Sequence, residues 1–402
     1  MRLKTSLLSA SAALAALLGV AACQTYDFEP VEPLALAKTN QVKKVVARKS
    51  KPNLMLLVDK SGSMVDPSEN PNRLSELKRA MVGTGGDGFL TNPATATVAR
   101  MGLAVFPTAT SATNEVSACQ QGKIKYDIVN SPTDDEAVLA TASQQIASFI
   151  NGMVDASSAP PGTDPDQLVI GGTPTAASLA LLGTVPSLVT EERDDFILLL
   201  TDGLPNCNGS LDRTTCTCVD GSTSCASARN CLDQSTTVQQ VSALAARGIR
   251  TIVVGFGAAT SAGLALLPLN AMAEAGGMPR KCVKADGTVD ASLCGAESCD
   301  TTTQLCATRF YKAKNAAELA QALAKITTLV GAGDPCEYAL DSLPSQPELL
   351  QVIVNGQVQT AGADTWAYAS GKVKFQGALC TKLMGATPTN PVDVEFGIIQ
   401  AL

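Results

Sequence analysis

Three short stretches place oxygen-bearing side chains where apolar runs stop. "LLVDKSGSM" (56–64) runs into Asp59, Ser61 and Ser63 at alternate positions; "IGGTPT" (170–175) sets Thr173 behind two glycines; "LLLTDG" (198–203) ends on Asp202. Five hard oxygen donors with neither nitrogen nor sulfur suit Mg2+, Mn2+ or Ca2+, and so small a set favours octahedral Mg2+ or Mn2+. The chain contains no histidine. A serine hydrolase therefore lacks its usual base, and Lys60 would point away from the serines beside it. There is no G-x-S-x-G elbow and no phosphate-cradling loop. The remaining enzymatic route is metal-activated water, for which no sequence feature names a substrate, so the expectation is binding without catalysis.

Donors so far apart in sequence need a scaffold that brings strand ends together. From Pro52 onward, short apolar runs alternate with helical periods, the pattern of a parallel sheet wrapped by helices. Strands are predicted at 53–59, 97–106, 196–202, 250–257 and 309–313, and helices at 73–82, 133–152, 175–188, 235–247, 263–275 and 315–330. Runs such as "FILLL" are apolar on both faces, which only helices on both sides can cover. The expected fold is α/β: a doubly wound, mostly parallel sheet, with a ligand site outside the carboxyl ends of its strands.

Asp59-x-Ser61-x-Ser63, then Thr173, then Asp202 resembles the metal-ion-dependent adhesion site of the von Willebrand factor A domain, over roughly residues 52–331. "LNAMAEAGG" (269–277) and "YKAKNAAELAQALAKI" (311–326) resemble that fold's closing segments. The resemblance implies that Ser61 and Ser63 bind the metal directly and Thr173 directly or through water. It implies that Asp59 and Asp202 hold the metal largely through ordered water, and that an Asp or Glu of a partner fills the vacant coordination position. Each segment alone reads equally well as a strand, turn and helix cap; the set in this order carries the resemblance.

The chain begins "MRLKTSLLSASAALAALLGVAAC", in which Arg2 and Lys4 precede an apolar run that ends in small residues and Cys23. This is an export signal (1–22) resembling the bacterial lipoprotein type, with Cys23 the expected lipidation site. Gln24 in place of an aspartate favours the outer membrane, with the protein expected to be exposed at the cell surface. A lipid-anchored tether with a strand-like stretch follows (23–51). Formal charge is −7 over the whole chain and, without Arg2 and Lys4, −9, which gives nucleic acid no bulk attraction.

Setting Cys23 aside leaves twelve of thirteen cysteines, an even number suited to disulfides in an oxidising compartment. Five lie in an insert at 206–231 (Cys207, Cys216, Cys218, Cys225, Cys231) and four in another at 282–306 (Cys282, Cys294, Cys299, Cys306). Parity pairs the second four among themselves, joins Cys119 to the first five, and pairs Cys336 with Cys380; connectivity within each insert stays open. Zinc at Cys216 and Cys218 is not expected, given the exported context. "TDDE" (133–136) reads as a helix cap and not a calcium site. Residues 332–402 alternate with Gly and Asn turns and read as a small β module, with Trp366 and Tyr368 as packing residues, paired with the strand-like stretch before Pro52.

These readings converge on an outer-membrane lipoprotein adhesin that grips an acidic protein or surface ligand through its metal. An envelope assembly subunit using the same site on a neighbouring protein is the alternative, and a metal-dependent hydrolase is less favoured. The whole layout resembles the gliding-motility adhesin lipoproteins of myxobacteria, which implies substratum adhesion and outer-membrane motility proteins as partners.

Overall fold

The computed structural model describes residues 41–400 apart from 46, 50, 69–70, 112–113, 132–133, 190–192, 257–262, 285–286, 314–316, 319, 321, 324–325, 327–335, 341 and 385–391. The export signal, Cys23 and the first part of the tether lie outside the described residues, as does much of the expected helix 315–330.

Strands β1 (Gln41–Val45) and β2 (Ala47–Lys49) precede a central six-stranded sheet. That sheet is built from β3 (Asn53–Asp59), β4 (Arg100–Phe106), β5 (Lys123–Tyr126), β6 (Asp195–Thr201), β7 (Ile249–Phe256) and β8 (Tyr311–Ala313), in the order β8-β7-β6-β3-β4-β5. All neighbours are parallel except β4 and β5. Leu54 to Val58 and Phe196 to Leu200 are buried throughout, so both sheet faces need cover, and helices supply it. On one face Leu54, Leu56, Val58, Leu198 and Leu200 meet Leu74, Leu77 and Met81 of α1 (Arg73–Met81) and Ile146, Phe149 and Ile150 of α2 (Glu136–Gly152). Ala322, Leu323 and Ile326 join that face. On the other, Met55, Leu57, Ile197 and Leu199 meet α3 (Thr175–Leu182), α4 (Gln234–Ala245) and α5 (Leu266–Ala275) through Leu179, Leu182, Val241, Leu244, Leu269 and Met272. The domain is therefore doubly wound.

Local chemistry sets the boundaries. Asn72 caps α1 by accepting from Ser75 N, and Asp135 caps α2 by accepting from Ala137 N and Val138 N. Asp134, beside that cap, is wholly buried against Arg193 at 2.7 Å. The helix predicted to reach 188 stops at Leu182, because Gly183 and Pro186 follow and Pro186–Leu188 forms a separate 3-10 turn. The strand predicted from 97 starts at Arg100, after a turn-rich stretch. The antiparallel edge β5 was not predicted: "KIKY" alternates lysines with apolar residues and lacks the apolar run that marks the central strands.

The C-terminal module comprises β9 (Glu337–Leu340), β10 (Leu350–Val354), β11 (Gln357–Gln359), β12 (Trp366–Ala369), β13 (Lys372–Phe375) and β14 (Val394–Gln400). They form two antiparallel sheets, β1-β14-β10-β11 and β12-β13-β9-β2, so β1 and β2 belong to this module. Both sheets contribute to one core, in which Phe375 and Phe396 pack with Tyr338 and Trp366 lies buried with its Nε1 donating to Gln359 O at 2.7 Å. Tyr368 packs against the same core. Helix α6 (Gly377–Met384), which periodicity did not mark, brings Cys380 to Cys336.

Six disulfides join Cys119–Cys207, Cys216–Cys231, Cys218–Cys225, Cys282–Cys299, Cys294–Cys306 and Cys336–Cys380. The buried apolar clusters of the two inserts consist almost entirely of these cystines. Segments this poor in large side chains cannot fold around a hydrophobic core, so covalent loop closure confines them. No described helix is long and apolar enough to cross a membrane.

Candidate metal centre

Strand β3 starts in the middle of the sheet, β4 leaves it on one side and β6 returns on the other. The crevice at such a switch point opens beyond the carboxyl ends of the strands. Register places Val58 beside Leu200, so Asp59 and the Thr201-Asp202 pair emerge together. Main-chain bonds then lace the loop after β3 to the loop before α3: Ile170 N donates to Lys60 O at 3.0 Å and Gly62 N to Gly171 O at 2.8 Å. Gly171 is required here, since its φ is +99° and a Cβ would lie 2.5 Å from Ala109 Cβ. This lacing carries Thr173 to the same spot from more than a hundred residues away.

The oxygens converge. Ser61 Oγ and Ser63 Oγ lie 3.0 Å apart, and Ser63 Oγ donates to Asp202 Oδ1 at 3.1 Å. Asp59 accepts from Ser61 N through Oδ1 and from Thr201 Oγ1 through Oδ2, both at 2.8 Å. A Cβ at Gly203 would stand 3.6 Å from Thr173 Oγ1 and 3.7 Å from Ser63 Oγ, which puts those two hydroxyls on one small space. The five candidate donors thus gather at one end of the sheet: Ser61, Ser63 and Asp202 are linked directly, Asp59 is tied to Ser61 N and Thr201, and Thr173 lies near Ser63. A cleft of about 430 Å3 opens over this end, walled by Ser63, Arg73, Thr173, Asp202, and Val219 and Asp220 of the first cysteine-rich insert.

Electrostatics favour a cation. Asp59 and Asp202 are both wholly buried. Burial, and next the charge of Asp202, push the Asp59 carboxyl up to about 7. Burial also raises Asp202, against the hydrogen bond and charge of Arg73, which pull the other way. Two buried carboxylates with converging hydroxyls and no soft donor fit a hard divalent ion, which would offset the repulsion between them. Lys60 is not part of this set. Its side chain is buried and Nζ donates to Leu168 O at 2.8 Å, while burial, opposed chiefly by Asp166, lowers it to about 8.

Three contributors escaped the sequence reading. Thr201 orients Asp59 and was hidden as the ordinary last residue of a strand. Asn206 accepts from Thr173 N through Oδ1 at 2.7 Å and sits beside Cys207, whose disulfide packs on Gly172. Arg73 Nη1 donates to Asp202 Oδ2 at 2.8 Å and to Ser63 O at 3.2 Å; as one arginine at a helix start it carried no signal. Cys216 and Cys218 are both in disulfides.

The chain matches no known protein-family profile and no curated protein sequence. Among solved structures it is similar to the pilus adhesin SpaC of Lactobacillus rhamnosus GG, at 12% identity and TM-score 0.40, over 90% of this chain and 43% of that one. It is also similar to proximal thread matrix protein 1 of the mussel byssus with a zinc-occupied MIDAS motif (13%, 0.34, 73% and 50%). A third is the manganese-loaded TRAP protein of Plasmodium vivax (14%, 0.27, 54% and 61%). The chain thus spans about half the length of these structures.

Proposed function

We propose that this protein is a metal-dependent adhesion protein whose α/β domain is of the von Willebrand factor A type, and that it binds and does not turn over its ligand. The observation that carries the reading is the convergence of Ser61, Ser63, Thr173, Asp59 and Asp202 at the switch point of a doubly wound sheet, in an all-oxygen set. A divalent cation, Mg2+ or Mn2+ before Ca2+, would supply an open coordination position for a carboxylate. The residues around it fix its place: Thr201 and Ser61 N hold Asp59, Asn206 holds the backbone of Thr173, and Ser63 ties to Asp202. The cleft above admits an acidic side chain of a protein or surface partner.

The export signal and Cys23 support a lipid anchor in the outer membrane with the site facing outward, where disulfides form. In its finest form the reading is a gliding-motility adhesin working with outer-membrane motility proteins. Calorimetric titration of Mg2+ and Mn2+ into the purified protein, beside Asp59→Ala, tests the site: binding in the wild type that is lost in the folded variant is the expected result. An unchanged isotherm in Asp59→Ala, or none in the wild type, would remove the metal reading. Protease treatment of intact cells tests the outward placement, and full protection would instead favour an internal assembly subunit.

A further inference from the structure

The metal centre contains a fixed positive charge of the protein's own. Arg73 opens α1, and its guanidinium turns toward the site: Nη1 reaches Asp202 Oδ2 at 2.8 Å and Ser63 O at 3.2 Å. Asp202 is wholly buried and the Arg73 side chain is only 13% exposed, so water screens this pair poorly. Other charges nearby offset it only in part. Asp66 lies 3.6 Å away but is more than half exposed; Asp220 stands on the opposite wall of the cleft; Lys60 is committed to Leu168 O. Among the groups closest to the ion, Asp59 and Asp202 as carboxylates would neutralise a divalent cation, and Arg73 adds one positive charge to that set.

Resting on the metal reading above, we propose that Arg73 is a built-in competitor of the cation: it holds Asp202 in the metal-free protein, lowers the affinity for metal, and makes the loaded site more positive toward an incoming carboxylate. The physical basis is that a unit positive charge within hydrogen-bonding distance of a metal-site carboxylate repels a dication several-fold more strongly inside the protein than in water. Arg73 is a positioning residue in the metal-free state and an affinity-setting residue in the loaded one.

The test is calorimetric Mn2+ titration of the full protein as wild type, Arg73→Gln, Arg73→Met and Arg73→Lys, with circular dichroism to establish folding. Two neutral variants are used so that a folding defect in one leaves the other decisive. Roughly tenfold or tighter binding in the neutral variants, with Arg73→Lys close to wild type, is the expected outcome. The difference should shrink in high salt. Equal or weaker binding in a folded neutral variant would overturn the proposal and make Arg73 simply the residue that aims Asp202. Tighter binding in Arg73→Lys would overturn it as well. Absence of Mn2+ binding in every protein would sink the metal reading itself, and this proposal with it.

Discussion

Replacing Cys119 and Cys207 together by alanine should cost stability and metal affinity at once. The bond closes a loop with a sequence separation of 88, for which chain-entropy reasoning gives about 4–5 kcal/mol of stabilisation, an upper figure if the unfolded chain keeps residual structure. At a urea slope of about 3 kcal/mol/M, the unfolding midpoint should fall by about 1.3–1.7 M. The local consequence is separate. The cystine packs on Gly172, and neighbouring Asn206 holds Thr173 N at 2.7 Å, so freeing the segment loosens one candidate metal donor. By analogy with groups that orient metal ligands, Mn2+ affinity should drop roughly 10-fold or more. Cys336→Ala with Cys380→Ala is the control: its separation is 44 and it lies in the β module. That pair should cost about 4 kcal/mol while leaving Mn2+ affinity unchanged. Urea unfolding followed by circular dichroism and Mn2+ calorimetry read both effects. An unaltered midpoint for the first variant, or equal loss of metal affinity in the two, would refute the reasoning.

Thr201→Val removes the hydroxyl that donates to Asp59 Oδ2 while keeping the strand's shape; Mn2+ binding should weaken roughly 10- to 100-fold, measurable by the same titration. Arg193→Met leaves Asp134 buried without its guanidinium partner, which should destabilise by about 3–5 kcal/mol in urea unfolding. In the second insert, burial alone would raise the Glu297 carboxyl, but hydrogen bonds from Lys312 and Thr308 and the charge of Arg280 hold it below its ordinary value. A depressed carboxyl contributes stability that is full above the unfolded value of 4.5 and lost as pH falls through the folded one. Glu297→Gln should therefore melt lower than wild type at pH 7, with the gap closing below pH ~4, as followed by thermal melts across that range.

The fold class and the positions of the five candidate donors were legible in the sequence for one reason: both are written in local pattern. A buried parallel strand must be apolar on both faces, and a site outside its carboxyl end must sit in the next few residues, so Asp59, Ser61, Ser63 and Asp202 announce themselves where apolar runs stop. Thr173 was visible through the glycines that precede it. The ends of elements were less legible, because tertiary contact and single turn residues such as Gly183 and Pro186 decide them. Edge strand β5 was missed because an edge needs no two-sided apolar run.

Sequence by itself determined the donor chemistry, the doubly wound class, and the even cysteine count from which stapled inserts follow. Tertiary structure alone decided which atoms support those donors. Arg73 and Asp202 are 129 residues apart, Thr201 and Asp59 142, and Thr173 and Asn206 33. None of these pairs has a characteristic spacing, since each exists only because sheet order and register bring two chain segments to one crevice. The same holds for β1 and β2, whose partners β14 and β9 lie at the far end of the chain. Short-range pattern reports what a residue does within its own element, and the charge balance of a site is set by residues from several elements at once.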